Sequence, residues 1–194
     1  MKNILITGHP RSGTHHIARV INAMGYNCTY EKRNLNGFTA SWKHIMSGEF
    51  EKPCPETNII CNFDKIIHQR RHPLKVISSS LTLWTMSMNY MAKFIDLPDP
   101  IINRNNTILN CMITWVEWNK LIEKKAYWGY NIENLQNIQE EWCKQLEIPV
   151  QKIPDLWHSN TREHKDLTWD DLRNVSKVWA MLVEEKAHIY GYTT

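Results

Sequence analysis

No apolar run in the chain is long enough to cross a bilayer. The first run, Ile4-Leu5-Ile6, is too short and too quickly broken by Gly8-His9-Pro10-Arg11 to be a secretory signal. Charge of one sign is scarce as well: 23 Lys and Arg stand against 20 Asp and Glu, a net charge of +3. That balance excludes a nucleic-acid-binding tail and leaves the basic residues to be read one by one. Cysteine is sparse, odd in number and without metal-ligand spacing (positions 28, 54, 61, 111 and 143). A disulfide framework is thereby disfavoured, and reduced thiols in a cytoplasmic setting are expected. There is no internal repeat and no low-complexity linker, so residues 1–194 are expected to form one domain with a sizeable core. Tryptophan is the exception to this scarcity; most of the nine are expected in the core.

What is present begins at the N-terminus. Ile4-Leu5-Ile6-Thr7 reads as a buried strand, Gly8 to Gly13 as a tight loop, and Ile17, Val20, Ile21 and Met24 as the inner face of a helix. A strand–loop–helix turn directs backbone N–H groups and the positive end of a helix dipole at one point, a ready anion site. Gly8 and Gly13 permit close approach of the chain, Arg11 offers a bidentate donor, and Ser12 and Thr14 offer hydroxyls. The spacing Gly8-x4-Gly13 is that of a nucleoside-triphosphate loop, but the residues after it are not. Thr14 replaces the lysine that reaches the β- and γ-phosphates, and His15 replaces the hydroxyl that binds Mg²⁺. A ligand centred on a 5′-phosphate, with no required metal, fits this loop better than a triphosphate.

Further along, Gly25 is placed to end the first helix, and Asn27 to Glu31 reads as a second strand. Lys32 to Phe38 is a loop, and Ala40 to Met46 a short helix. Phe50 to Pro55 is irregular, and Asn58 to Asn62 extended. Lys65 to Arg71 is a strand that runs into a helix opened by Pro73, with Leu74, Ile77, Leu81 and Trp84 on one face. Asp96 to Asn106, rich in Pro and Asn, reads as a long loop. A periodic helix follows over 107–125, with Ile108, Cys111, Met112, Trp115, Trp118 and Ile122 inward, then a strand near 127–132 and a helix over 135–145. After a loop to 168, Thr168 with Asp171 marks the start of a last helix reaching Tyr190. Strands alternating with helices imply an α/β fold, a mainly parallel sheet with helices on both faces. In such sheets ligands sit at the carboxyl ends of the strands, where Glu31, Arg71 and the Gly8–Thr14 loop all fall.

Two motifs then point to one family. Pro10-Arg11-Ser12-Gly13-Thr14 resembles the 5′-phosphosulfate loop of sulfotransferases that use 3′-phosphoadenosine 5′-phosphosulfate (PAPS). Arg71, with Ser79 eight residues on, resembles the pair that grips the donor's 3′-phosphate in that family, although His72 stands where an acidic residue or Asn is usual. Gly25 to Glu31, Ser41-Trp42-Lys43-His44, His68-Gln69, Trp115-x-x-Trp118-Asn119 and Asn160-Thr161-Arg162 extend the likeness to short soluble bacterial and phage-type members. The resemblance implies a P-loop-like, three-layer α/β/α fold. It implies donor contacts from residues 10–15 (Pro10, Arg11, Ser12, Gly13, Thr14 and His15), from Arg71 and Ser79, and from a basic C-terminal loop with Arg162 and Lys165.

Sulfonate transfer needs a base for the acceptor hydroxyl, cations for the leaving phosphate, and in-line geometry. Arg11 is the first choice for the leaving group and Lys43 the second cation. Two bases are open: Glu31, preferred because topology sets it on the rim, and His44, next to Lys43. Trp42 is expected against the substrate, and no metal is expected. The acceptor is a small molecule, glycan or other hydroxyl- or amine-bearing compound that no rule reads from this chain. The rival expectations are a small-molecule kinase, which needs the lysine that Thr14 replaces, and a binding module without turnover.

Overall fold

The structure is a computed structural model that describes residues 2–34, 36–46, 62–83, 85–97, 107–156 and 165–194. These sort into two compact units. The first comprises Met1–Gly8, Ser12–Arg70 and Ile122–Asn160; the second His9–Arg11, Arg71–Leu121 and Thr161–Thr194.

The first unit is built on a five-stranded, all-parallel sheet. Its strands are β1 (Ile4–Thr7), β2 (Cys28–Tyr30), β3 (Phe38–Ala40), β4 (Lys65–Arg70) and β5 (Trp128–Asn131), in the spatial order β2-β3-β1-β4-β5. β1 is central and all four of its residues are buried, which is why its sequence is a continuous apolar run rather than an alternation. In register, Ile6 pairs with Ala40 on one side and with Ile67 on the other. One face of the sheet carries Ile4, Ile6, Phe38, Ala40, Ile67 and Tyr130. Against it pack Ile17, Val20 and Ile21 of helix α1 (Thr14–Ala23), and Trp142, Cys143 and Leu146 in and just beyond α5 (Gln139–Gln145). Each such fully buried side chain stabilises by about 1.5–3 kcal/mol. α1 closes at Met24, and Gly25 follows at φ +89° as the left-handed residue after the cap. The Asn22 side chain then exchanges two hydrogen bonds with the Cys28 backbone, at 2.7 and 3.1 Å, joining the helix end to β2.

The described helices of the second unit are α2 (Pro73–Ser80), α3 (Thr85–Met91), the greater part of α4 (Ile108–Glu123), α6 (Trp169–Val175) and α7 (Lys177–Ile189). Cys111 to Val116 of α4 are all buried, so that helix is covered nearly all round. Trp115 meets Tyr190 edge-on at 6.0 Å, and Trp118 meets Tyr90 and Phe94 at 6.3 and 6.1 Å. Thr168 and Asp171 form the reciprocal capping box read from the sequence.

Four expectations are corrected. Phe38 and Ala40, expected at the end of a loop and the start of a helix, both belong to strand β3 (Phe38–Ala40), and of the helix expected over 40–46 only His44–Met46 make a 3-10 turn. Three residues flanked by Gly37 carry no periodic signal; pairing with strands on both sides defines them. The helix opened by Pro73 stops at Ser80 and buries Val76, Ile77 and Ser80, while Leu74 and Leu81 are only half-buried. The helix expected over 135–145 is a 3-10 turn at Ile132–Asn134 followed by α5 from Gln139. The last helix is broken at Ser176, whose hydroxyl caps α7 by accepting from Trp179 N–H. The irregular segment 50–55 and nearly all of the extended segment 58–62 lie outside the described residues, as do Trp84, Trp157 and most of the 96–106 loop.

Candidate active site

Because the five strands run parallel, their carboxyl ends share one edge of the sheet. Gly8 follows β1, Glu31 follows β2, Ser41 follows β3 and Arg71 follows β4 in sequence.

The loop after β1 is shaped by close packing. A Cβ on Gly8 would lie 2.2 Å from the Gln69 carbonyl oxygen and 2.3 Å from Ser12 Oγ, so glycine is required there for space. Gly13, the residue before α1, sits at φ +97° and supplies no side-chain cap. A Cβ there would strike Ile132 Cδ1 at 2.8 Å. The loop is pinned from beneath by uncharged groups. Tyr130 Oη donates to Gln69 Oε1 at 2.7 Å, which fixes the amide so that Gln69 Nε2 donates to the Ser12 carbonyl at 2.7 Å. Gln69 is fully buried, and burial raises the Tyr130 phenol far above its ordinary range, so this chain stays neutral. The Ser12 hydroxyl is different. It is 1% exposed and has no hydrogen-bond partner among the described residues. Thr14 is the first residue of α1 and buried, whereas His15 is exposed and meets the Tyr30 ring edge-on at 4.8 Å. α1 carries no acidic residue in its first turn to compensate its dipole.

In the second unit, Arg11 sits at φ +74°, a left-handed conformation uncommon for a side-chain-bearing residue. Arg71 Nη1 donates to the Arg11 carbonyl at 3.1 Å, and Arg11 Nη2 donates to Thr82 Oγ1 at 3.2 Å. Both guanidinium groups expected to face the donor are thus also held by neutral oxygens of their own unit. Ser79 is buried in α2, and its carbonyl accepts from Thr82 Oγ1 at 2.8 Å. Pro10 is buried, and its carbonyl accepts from His9 Nδ1 at 2.6 Å, so Nδ1 carries the proton. Burial lowers the His9 pKa to about 4 and keeps the ring neutral; Nε2 has no partner among the described residues. The Lys165 side chain is 74% exposed and pairs with Asp171 at 3.7 Å, while its carbonyl accepts from Ser78 Oγ. Arg162 lies outside the described residues.

The corner after β2 joins both base candidates. Glu31 sits at φ +55° and its N–H donates to the Ala40 carbonyl at 3.0 Å. Its Oε2 accepts from Ser41 Oγ at 3.1 Å and lies 3.8 Å from Lys43 Nζ; its Oε1 accepts from the Trp42 N–H at 3.4 Å. Ser41 Oγ is also 2.7 Å from His44 Nδ1, and both Ser41 and His44 are buried. Lys43 and Trp42 are half-buried. Glu31 and Lys43 thus form an ion pair beside the Ser41 hydroxyl.

Sequence reasoning missed Gln69 and Tyr130 as the loop's support and Ser41 as the link between Glu31 and His44. A signal existed for Gln69: an uncharged polar residue next to the end of a strand in a parallel sheet must find buried partners. Among the described residues no group of three or more His, Cys, Asp or Glu could hold a metal ion, and no helix is long and apolar enough to cross a membrane. No family model matches the chain, and no curated protein is significantly similar to it.

Proposed function

We propose that the chain is a sulfotransferase that moves a sulfonate group from PAPS to a hydroxyl or amine of an acceptor, on a P-loop-like three-layer α/β/α fold. The observation that carries the reading is the buried Ser12 hydroxyl, without a hydrogen-bond partner among the described residues, in a loop that ends on an N-terminus of α1 with no side-chain cap from Gly13. Leaving such a hydroxyl unmet costs about 1–3 kcal/mol, and a phosphate oxygen is a partner of the right chemistry. Thr14 in place of the loop lysine favours a 5′-phosphate-centred ligand over a triphosphate.

In this reading Ser12, Gly13 and Thr14 bind the 5′-phosphate, and Arg11 stabilises the charge that builds on it. Pro10 and His15 flank that contact, and Lys43 is the second cation. Arg71 and Ser79 bind the 3′-phosphate, with Arg162 and Lys165 from the basic loop. Glu31 takes the acceptor's proton, and Trp42 lies against the acceptor. The bound donor supplies an activated sulfonate on a phosphate leaving group; the chain's own part is to orient, to remove one proton and to balance charge. Work in the cytoplasm accords with reduced cysteines.

The test is calorimetric titration of the full chain with 3′-phosphoadenosine 5′-phosphate in EDTA, with Mg²⁺-ATP alongside. Tight binding of the bisphosphate, with none of ATP, is the expected outcome. Folded protein that binds no bisphosphate overturns the reading, and binding of Mg²⁺-ATP in its place moves it to a kinase.

A further inference from the structure

Glu31 and His44 compete on paper for the same role, yet both lie within hydrogen-bond distance of one hydroxyl. Ser41 Oγ has a single proton. A carboxylate can only accept, so the 3.1 Å contact to Glu31 Oε2 takes that proton. The 2.7 Å contact to His44 is then a hydrogen bond only if Nδ1 carries its own proton and donates to Ser41 Oγ. The Lys43 and His44 backbone N–H groups also approach Ser41 Oγ, each at a long 3.3 Å, and share the lone pair that His44 Nδ1 leaves. Read this way, the donors run in one order, from His44 through Ser41 to Glu31.

We infer that Ser41 and His44 are positioning residues for Glu31: the chain His44 Nδ1–H to Ser41 Oγ–H to Glu31 Oε2 holds the carboxylate at the end of β2. The role of Glu31 as base rests on the function proposed above; the hydrogen-bond order does not. The backbone at Glu31 sits in the left-handed region, so the side chain is fixed at both of its ends, by the Ala40 carbonyl on its own N–H and by Ser41 on its carboxylate. With Nδ1 of His44 committed as a donor, Ser41 takes no proton back from the ring and keeps its own for Glu31.

The order is testable without any acceptor, through the ¹⁵N signals of the His44 ring in the full chain, assigned by their loss in His44→Gln. The expected result at neutral pH is a neutral ring with the proton on Nδ1. In Glu31→Ala the Ser41 proton loses its carboxylate and turns to Nδ1, so the ring proton shifts to Nε2. Ser41→Ala uncouples the two residues, and adding Glu31→Ala to it then shifts nothing; Ser41→Thr, which keeps the hydroxyl, restores the wild-type response. A wild-type His44 protonated on Nε2 alone overturns the inference, as does an unchanged tautomer in folded Glu31→Ala. Bisphosphate titration of the same samples separates the two claims. Loss of donor binding with an Nδ1–H ring sinks the function and leaves the positioning intact, and the reverse result does the opposite.

Discussion

The loop after β1 and the corner after β2 follow two strands of the one parallel sheet, with β3 between them, and each holds a side-chain-bearing residue at positive φ, Arg11 at +74° and Glu31 at +55°. They dispose their polar groups in opposite ways. At the corner each Glu31 carboxylate oxygen meets a donor from within the chain: Ser41 at Oε2 and the Trp42 amide at Oε1. In the loop the backbone is tied down by Gln69, yet the Ser12 hydroxyl is buried and unmet among the described residues. A left-handed residue costs on the order of 1–2 kcal/mol in either place. The difference teaches how to read such strain. Where every polar group has an internal partner, the strain fixes a side chain; where one is left over, it frames a place for a ligand.

The comparison can be broken at several points. The largest expected effect is on binding: Arg71→Ala should weaken the bisphosphate by roughly 2–5 kcal/mol, the cost of removing a desolvated charge partner. Its effect on urea unfolding should be smaller, because the hydrogen bond from Arg71 to the neutral Arg11 carbonyl is only part-buried and contributes about 1 kcal/mol. Unchanged affinity would remove Arg71 from the donor site.

Next comes acid. His9 is neutral in the folded chain with its pKa lowered to about 4 from 6.5, so between those values the unfolded chain binds the extra proton. Stability attributable to His9 is therefore full above pH 6.5 and falls as the pH drops toward 4, by up to about 3 kcal/mol. Urea midpoints at pH 7 and pH 4.5 should diverge less in His9→Asn than in the wild type; equal divergence would show that the ring is not buried neutral.

Gln69→Leu should cost about 2–4 kcal/mol, since it orphans the Ser12 carbonyl and the Tyr130 hydroxyl together. Tyr130→Phe, which strands only Gln69 Oε1, should cost about half as much. Thermal melts of both, each paired with bisphosphate titration, measure how far loop support and ligand affinity run together.

The smallest effects carry the sharpest contrast. Ser41→Ala should lower stability by about 1 kcal/mol, because it removes an internal hydroxyl partner, and should leave bisphosphate affinity unchanged. Ser12→Ala should be neutral or slightly stabilising, because it removes an unmet group, and should weaken the bisphosphate by about 1 kcal/mol. If both variants behaved alike in the two measurements, the distinction between the two turns would be lost.

Much of this was legible in the chain. The apolar run Ile4-Leu5-Ile6 announced a buried strand, because a strand buried on both faces has no need to alternate. Gly25, Pro73 and the Thr168–Asp171 box marked helix ends, because caps are local chemistry within a few residues. The same locality put Gly8, Glu31 and Arg71 after strand ends. Strand β3 was not legible: three residues become a strand only when β1 and β2 present ladders to them. Nor was the break at Ser176, a weak helix former inside a helical pattern until its hydroxyl caps α7.

By itself, then, the sequence determined where most strands, caps and turns fall and which residue types stand at the strand ends, since these follow from short-range periodicity and backbone preference. Only the tertiary structure decided which of those residues meet. Gln69 lies 57 positions from Ser12 and 61 from Tyr130, and Ser41 lies 10 from Glu31. Hydrogen bonds across such separations exist only once sheet order and register have set the strands side by side. Whether a polar group in this chain is met or left over is a property of that packing and of no single stretch of residues.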